Sequence, residues 1–413
     1  MSQTKSAWAY KMRGVTTQLG ATVMIEFYDE DGNVRPGTRD VEQGPLRRFM
    51  GDEELGRWGS TNRANRDQSR TAGQGAPSSL PKRKIARERT TALQNPNLTQ
   101  EEFVAALTNL LTVNPDTYPK KLVITAPLVT DLTNDFSRLL SLKHLNLENN
   151  SLTALPDSFG RLRALKHLNL KGISLTALPD SFGNLRALEY LNLKSTSLTA
   201  LPDSFGNLRA LKHLNLGNNS LTALPESFGN LRALEYLNIG DSALLEIPNA
   251  LRQFRSLEYL VLSDNLLTAL PDWLGELRTL KKLYLRGNQL TVLPDSFCNL
   301  LLLDYLVLKE NDLTTLPDSF GKLLSLDYLD LNDNDLTTLP DSFGNLISLE
   351  FLYLNDNYLT TLPNSFGQLV WLAYLDLNNN LFATDDWNNT SFRDDNQEIR
   401  KWLKHNFHDT SRA

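Results

Sequence analysis

LKHLNLENNSLTALPDSFGRLRA, residues 142–164, decides the fold, because the chain writes this sentence ten times and begins it an eleventh. Its punctuation is a proline after an aliphatic residue, at Pro156, Pro179, Pro202, Pro225, Pro248, Pro271, Pro294, Pro317, Pro340 and Pro363, and every interval is 23. An unbroken period of this length gives each unit an equivalent place in a regular stack, so the expectation is a solenoid and not a globule.

Within the unit, Leu142, Leu145 and Leu147 spell L-x-x-L-x-L. Their alternation with His144, Asn146 and Glu148 predicts a short strand with its leucines inward. Asn150 follows where the chain must turn, and an amide there can bond backbone groups of the neighbouring coil that stacking would otherwise bury unsatisfied. The same place holds Asn219, Asn265, Asn288, Asn311, Asn334, Asn357 and Asn380 but is lost at Ile173, Thr196 and Ser242, which predicts a weaker ladder in the first half. Pro156 fixes its φ and lacks a donor, which suits the start of a short helical turn. Phe159, Leu162 and Leu165, at steps of three, give that turn one inward face. Eleven strands at about 4.8 Å spacing form a parallel sheet about 50 Å along its arc.

The repeats resemble the leucine-rich repeat family, specifically its 23-residue class with an internal Leu-Pro, as in LTALPDSFGNLRALEYLNL at 175–193. Similar repeats occur in Shoc-2-like scaffolds, plant intracellular Ras-group proteins and bacterial proteins, secreted effectors included. The resemblance covers about 120–381. It implies an α/β fold: a curved solenoid with a parallel β-sheet on the concave face and short helical or 3₁₀ turns on the convex face. It also implies binding of other macromolecules and, through the Shoc-2-like class, a small GTPase or phosphatase as one candidate partner.

The rest of the chain divides by composition. Residues 1–58 hold one clear pattern, Val23, Ile25 and Phe27 alternating with Met24, Glu26 and Tyr28 before Asp31-Gly32, which predicts a strand running into a turn and a small docking module. Residues 59–94 form a Ser/Arg/Gly/Pro-rich linker expected to be partly disordered. Its basic residues outnumber acidic ones eight to two over 59–90, and Lys82, Arg83, Lys84, Arg87 and Arg89 are a candidate basic contact. With no aromatic residues interleaved for base stacking, solvated linker is the favoured reading over nucleic acid. Residues 95–118 carry a capping box, Thr99 to Glu102, and an amphipathic pattern through Phe103, Leu107, Leu110 and Leu111, predicting a cap helix over 100–113. A degenerate repeat at 119–141 opens the solenoid, which ends at 382. In 383–413, Ile399, Trp402, Leu403 and Phe407 predict a second helix over 395–406 that covers the last strand edge.

Composition narrows function by exclusion. Cys298 is the only cysteine, so no intrachain disulfide forms, and no apolar run suits a signal peptide or a transmembrane span. Cytoplasmic residence follows as the expectation, with nuclear residence open because Lys82-Arg83-Lys84 could be a nuclear localisation signal, and organellar residence open because Lys5, Lys11 and Arg13 precede the first acidic residue, Glu26. The net charge is −6, and residues 303–413 hold 18 acidic against 7 basic residues, a surface that could select a basic partner. No P-loop or kinase signature occurs, and no cysteine follows 382 to serve a ligase domain of the kind found in bacterial effectors. His144 and His167 are too few for zinc, and Asp330 and Asp376 stand two strands apart, so neither metal nor paired-carboxylate chemistry is expected.

Two rows should line the concave face. One runs His144, His167, Tyr190, His213, Tyr236, Tyr259, Lys282, Tyr305, Tyr328, Phe351 and Tyr374. The second is monotonous at Asn146, Asn169, Asn192, Asn215 and Asn238, then varies as Val261, Tyr284, Val307, Asp330, Tyr353 and Asp376, flanked by Arg286 and Lys309. Aromatic side chains dominate binding hot spots but also stiffen sheets by pairing across strands. The expected partner patch is therefore Tyr259, Tyr284, Arg286, Tyr305, Val307, Lys309, Tyr328, Asp330, Phe351, Tyr353, Tyr374 and Asp376. The reading is a non-enzymatic protein-binding scaffold without cofactor. Two alternatives stand beside it: a subunit of a larger complex held through residues 1–91, and a bacterial effector or immune-type recognition protein.

Overall fold

The computed structural model describes residues 89–408 except 125, 384–386, 388, 389, 394 and 395, together with three backbone strands nearer the N-terminus. Those strands belong to a compact unit of their own, residues 1–76. β1 (Ala9–Thr17) pairs antiparallel with β2 (Gly20–Tyr28), from Ala9↔Tyr28 to Thr17↔Gly20, and β3 (Arg39–Asp40) pairs with β2. The strand expected at Val23, Ile25 and Phe27 is β2. Its partner β1 went unforeseen because Lys11, Arg13 and Gly14 break up the apolar pattern. The turn at Asp31-Gly32 lies outside the described residues, as do Lys82, Arg83, Lys84 and Arg87.

The second unit, residues 77–413, is the solenoid. Its strands are β4 (Lys121–Val123), β5 (His144–Asn146), β6 (His167–Asn169), β7 (Tyr190–Asn192), β8 (His213–Asn215), β9 (Tyr236–Asn238), β10 (Tyr259–Val261), β11 (Lys282–Tyr284), β12 (Tyr305–Val307), β13 (Tyr328–Asp330), β14 (Phe351–Tyr353), β15 (Tyr374–Asp376) and β16 (Ser391–Arg393). They form one sheet in sequence order, parallel from β4 to β15. The leucine at each strand centre faces inward and is buried, so one register serves every repeat. On the other side each repeat proline except Pro317 stands at the N-cap of a 3₁₀ turn, as Pro156 does for Asp157–Arg161, and the phenylalanines stack. Phe159–Phe182, Phe182–Phe205 and Phe205–Phe228 have centroids 6.3, 6.2 and 6.0 Å apart, with planes within 13°.

After each strand from β5 to β15 the chain bends through a left-handed residue, which is Ser195 after β7 and Glu310 after β12. Asn149, Asn218, Asp241, Asp264, Asp333, Asp356 and Asn379 have φ between 49 and 57°, and Gly172 and Gly287 take the same place. Asn, Asp and Gly are the residues that tolerate this conformation, which explains their recurrence in the sequence. The next residue is the amide ladder. Asn334 Nδ2 donates to Leu308 O and Leu331 O at 3.1 Å each, and its Oδ1 accepts from Leu313 N at 3.1 Å, so one side chain satisfies three backbone groups in two coils. The expected gap is narrower than the sequence suggests. At Thr196 the hydroxyl donates to Leu193 O and Asn219 Oδ1, recovering part of the bonding, whereas Ser242 reaches only Gly240 O at 3.4 Å. Asn334→Ala should therefore cost about 2–4 kcal/mol by orphaning buried backbone groups. Thr196→Val should cost less. Urea titration of both variants measures the difference.

Both ends are closed. α1 (Gln100–Leu110) carries the expected Thr99–Glu102 capping box and is three residues shorter than its sequence pattern. Its Gln100 bonds Thr130 N and Asp131 O, clamping the helix to the first repeat. Arg89, read from sequence as part of a basic contact, donates instead to Asn109 O and Thr112 Oγ1, where a cation complements the helix C-terminus. At the far end the helix was expected to cover the strand edge. β16 covers it instead, pairing antiparallel with β15, while α2 (Asn396–Leu403) packs Ile399 and Leu403 on the end of the core and sets Trp402 against Phe366. The edge needs backbone partners, which a strand supplies and a helix, its amides already paired, cannot.

Candidate functional site

The concave face is built by residues on either side of each inward leucine, projecting away from the core in adjacent strands. In the first half the row is a column of stacked rings. His144–His167 centroids lie 4.5 Å apart, His167–Tyr190 5.9 Å, Tyr190–His213 5.6 Å, His213–Tyr236 4.5 Å and Tyr236–Tyr259 6.2 Å. Burial lowers the pKa of both histidines, helped at His144 by Lys121, Lys143 and Lys166 and at His167 by His144. Among the described residues no group of three His, Cys, Asp or Glu is placed to hold a metal ion.

Lys282 interrupts the column, its Nζ 5.1 Å from the Tyr259 ring and 5.7 Å from that of Tyr305. Beyond it the two rows merge. Tyr305 stacks on Tyr328 at 4.0 Å, and the second row joins through Tyr284–Tyr305 at 5.3 Å, Tyr328–Tyr353 at 5.5 Å and Tyr353–Tyr374 at 4.5 Å. With Phe351, 6.1 Å from Tyr328, these rings form one continuous field across β11 to β15. The rings pair and also remain half-exposed, so stiffening the sheet does not remove them from the surface.

The twelve candidate contact residues do not lie at one depth. Tyr259, Tyr284, Arg286, Tyr305, Tyr328, Phe351, Tyr353 and Tyr374 are partly exposed, whereas Val307, Lys309, Asp330 and Asp376 are buried. The second row has a structural task that sequence reading missed. Asn146 Oδ1 accepts from Glu148 N at 2.8 Å, and Asn169, Asn192, Asn215 and Asn238 repeat the bond two residues ahead. Asp330 and Asp376 do the same with Asn332 N and Asn378 N. The turn needs an acceptor oxygen, which asparagine supplies without charge. The two aspartates bring a charge the turn does not use, and burial pushes Asp330 up to about 7.

A third row, one position before the first, went unnoticed in the sequence although it keeps the same 23-residue register. In the first part it neutralises itself: Lys166 pairs with Glu189, Lys212 with Glu235 at 3.1 Å and Lys281 with Glu258 at 2.9 Å. It then becomes Asp304, Asp327 and Glu350 on neighbouring strands. Burial raises Asp304, and burial followed by Asp304 and Glu350 raises Asp327 to about 7. At the other end of the strands, Glu310 holds φ 56°, unusual for a long side chain. Arg286 Nε at 2.9 Å and Lys309 Nζ at 3.4 Å fix it there. Burial works against its charge, but the Arg286 hydrogen bond and the two cations hold its pKa below the usual range.

The family model described as "Leucine rich repeat" matches residues 120–175, 241–290, 278–336 and 337–382, and that described as "Leucine-rich repeat region" matches 180–265. Among solved structures, an internalin of Listeria monocytogenes is 21% identical with a TM-score of 0.57, covering 73% of this chain and 92% of its own. A chain of the Drosophila Toll–Spatzle complex is 26% identical with a TM-score of 0.58, covering 67% of this chain and 38% of its own. A TDR receptor is 30% identical with a TM-score of 0.54, covering 60% and 44%. No curated protein matches the chain. Among the described residues no helix is long and apolar enough to cross a membrane. The 23-residue register, the parallel sheet in sequence order and the matches along 120–382 make this chain a member of the leucine-rich repeat family.

Proposed function

We propose that the chain is a non-enzymatic protein-binding module that takes its partner on the concave face from Tyr259 to Asp376. The observation that carries this reading is the aromatic field of Tyr284, Tyr305, Tyr328, Phe351, Tyr353 and Tyr374, which offers rigid, half-exposed area with little rotamer entropy left to lose. Its neighbour in the Toll–Spatzle complex is itself a chain of a protein complex, which supports the module's use for binding. Asp330 and Lys309, both buried in the same face, add local charge to it. The second-row asparagines of the first five repeats serve chiefly their turns.

Capture of partners from native extract by the full chain, with bound proteins identified by mass spectrometry, tests the reading. Replacing Tyr305, Tyr328 and Tyr353 together with alanine is expected to abolish capture, because hot-spot aromatics each contribute about 2 kcal/mol or more. Thermal unfolding should still be cooperative, since the inward leucines Leu306, Leu329 and Leu352 are untouched. Undiminished capture by the triple variant would reject the concave face as the binding surface.

A further inference from the structure

We propose that the concave face over β12 to β15 selects a cationic protein segment, whose arginine or lysine side chains lie on the tyrosine field beside Asp304 and Asp327, with the buried Asp330 adding negative charge from the other side of the field. This rests on the binding role given to that face above and specifies the partner's chemistry.

Two independent observations carry it. The row holding Asp304 and Asp327 is self-neutralised elsewhere in the solenoid by alternating lysine and glutamate, as in Lys212–Glu235 and Lys281–Glu258. Where the aromatic field begins, the alternation stops and acids stand side by side. Neither Asp304 nor Asp327 has an ion-pair partner within the described residues, and Asp304 Oδ1 is buried with no hydrogen-bond partner. Lys281 and Lys282 attract Asp304 only from a distance, and Lys281 already pairs with Glu258. The second observation is Asp330. It is 5% exposed, sits where five repeats use neutral asparagine, and spends one oxygen on the Asn332 turn. The nearest cations, Lys309 and Arg286, are engaged by Glu310.

A guanidinium or ammonium from outside would supply what each site lacks. It would pair the carboxylates that repel one another and stack its flat or methylene surface on Tyr305 and Tyr328, as Lys282 already does on Tyr259 and Tyr305. An anionic partner would meet the same carboxylates as repulsion, so the face also discriminates. Proton release fits the same picture. Asp327, pushed up to about 7 by burial and by Asp304 and Glu350, would give up its proton when a cation arrives.

The test uses the full chain and two fluorescein-labelled dodecapeptides, (Arg-Ala)6 and (Glu-Ala)6, read by fluorescence polarisation near 0.1 M salt. (Arg-Ala)6 is expected to bind and (Glu-Ala)6 not to. Asp327→Lys with Asp330→Asn should weaken (Arg-Ala)6 at least tenfold. Both replacements restore residue types that the same rows carry in other repeats, so the fold is retained. Asp318→Lys with Asp341→Asn, which makes the same change in net charge at two exposed positions of the convex turns, should change the affinity less than twofold. Equal weakening by both pairs would show attraction to net charge alone and overturn the proposal. So would absence of (Arg-Ala)6 binding, or equal binding of (Glu-Ala)6. The tyrosine triple variant in native extract tests the concave face separately: loss of capture there, with no (Arg-Ala)6 binding, would leave the face standing and refute its cation preference.

Discussion

Replacing Gly206 by valine is expected to lower the unfolding midpoint of the solenoid sharply and to split one transition into two. The glycine lies where consecutive 3₁₀ turns touch, and a Cβ there would fall far inside van der Waals contact with the Ser227 carbonyl oxygen. The next turn must move away by a large part of an atomic diameter. Because each repeat contacts only its neighbours, a wedge at one junction weakens the coupling on which cooperative unfolding depends. Overpacking costs about 1–3 kcal/mol and occasionally more, and a contact with backbone this close belongs at the upper end. The chain contains its own partial experiment at Cys298, which occupies the equivalent place. There the following turn begins late, at Phe320–Lys322, where most repeats have five residues. Arg252 is tolerated by another route, since its turn leaves through extended backbone at Phe254 (ψ 135°), unlike the ψ of 52° at Leu162. Urea unfolding followed by circular dichroism measures the outcome. An unchanged midpoint for Gly206→Val would mean that these turns slide as freely as the one after Cys298. Cys298→Gly is the converse and should stabilise by about 1 kcal/mol.

The solenoid was legible because its information is periodic. A leucine every 23 residues, a proline beside the start of a turn and an asparagine at most bends state the same register independently, and tertiary structure had nothing to override. What escaped was not periodic. β16 has no repeat behind it, and Ser391, Phe392 and Arg393 carry no alternation long enough to register as a strand. The candidate site was half legible for the same reason. Its tyrosines follow the register and were found, but the register does not say whether a concave residue is seen or covered, which depends on the side chains around it. Val307, Lys309, Asp330 and Asp376 stand in the same rows and are buried. The acidic row of Asp304, Asp327 and Glu350 was in register and overlooked, since its meaning comes from contrast with the lysine–glutamate pairs that precede it. Arg89 was placed with a solvated linker, and only the position of Asn109 O shows that it closes a helix.

Raising the pH from 5 to 8 is expected to destabilise the solenoid, and Asp330→Asn should remove a large part of that loss. Asp330 and Asp327 are both held near 7 in the folded chain against 3.8 for an ordinary aspartate, by burial in each case and at Asp327 also by Asp304 and Glu350. Between about pH 4 and pH 7 the folded chain thus binds more protons than the unfolded one, and stability falls as pH rises through that window, then levels off above it. Each unit of difference is worth about 1.4 kcal/mol, so Asp330 alone accounts for a few kcal/mol. Lys309 and Arg286 oppose the shift and Glu310 reinforces it, which keeps the figure below the full cost of burying a lone carboxylate. Asparagine preserves the bond to Asn332 N, as Asn146 does with Glu148 N, and has nothing to titrate. The variant should therefore be more stable than the parent at pH 8 and similar to it at pH 5, with a flatter profile between. A parent profile that is flat or rises over this range would show that Asp330 is ionised at little cost, through a tighter pairing with Lys309. The same measurement bears on function, because a charge whose removal stabilises the protein is a charge that folding did not require.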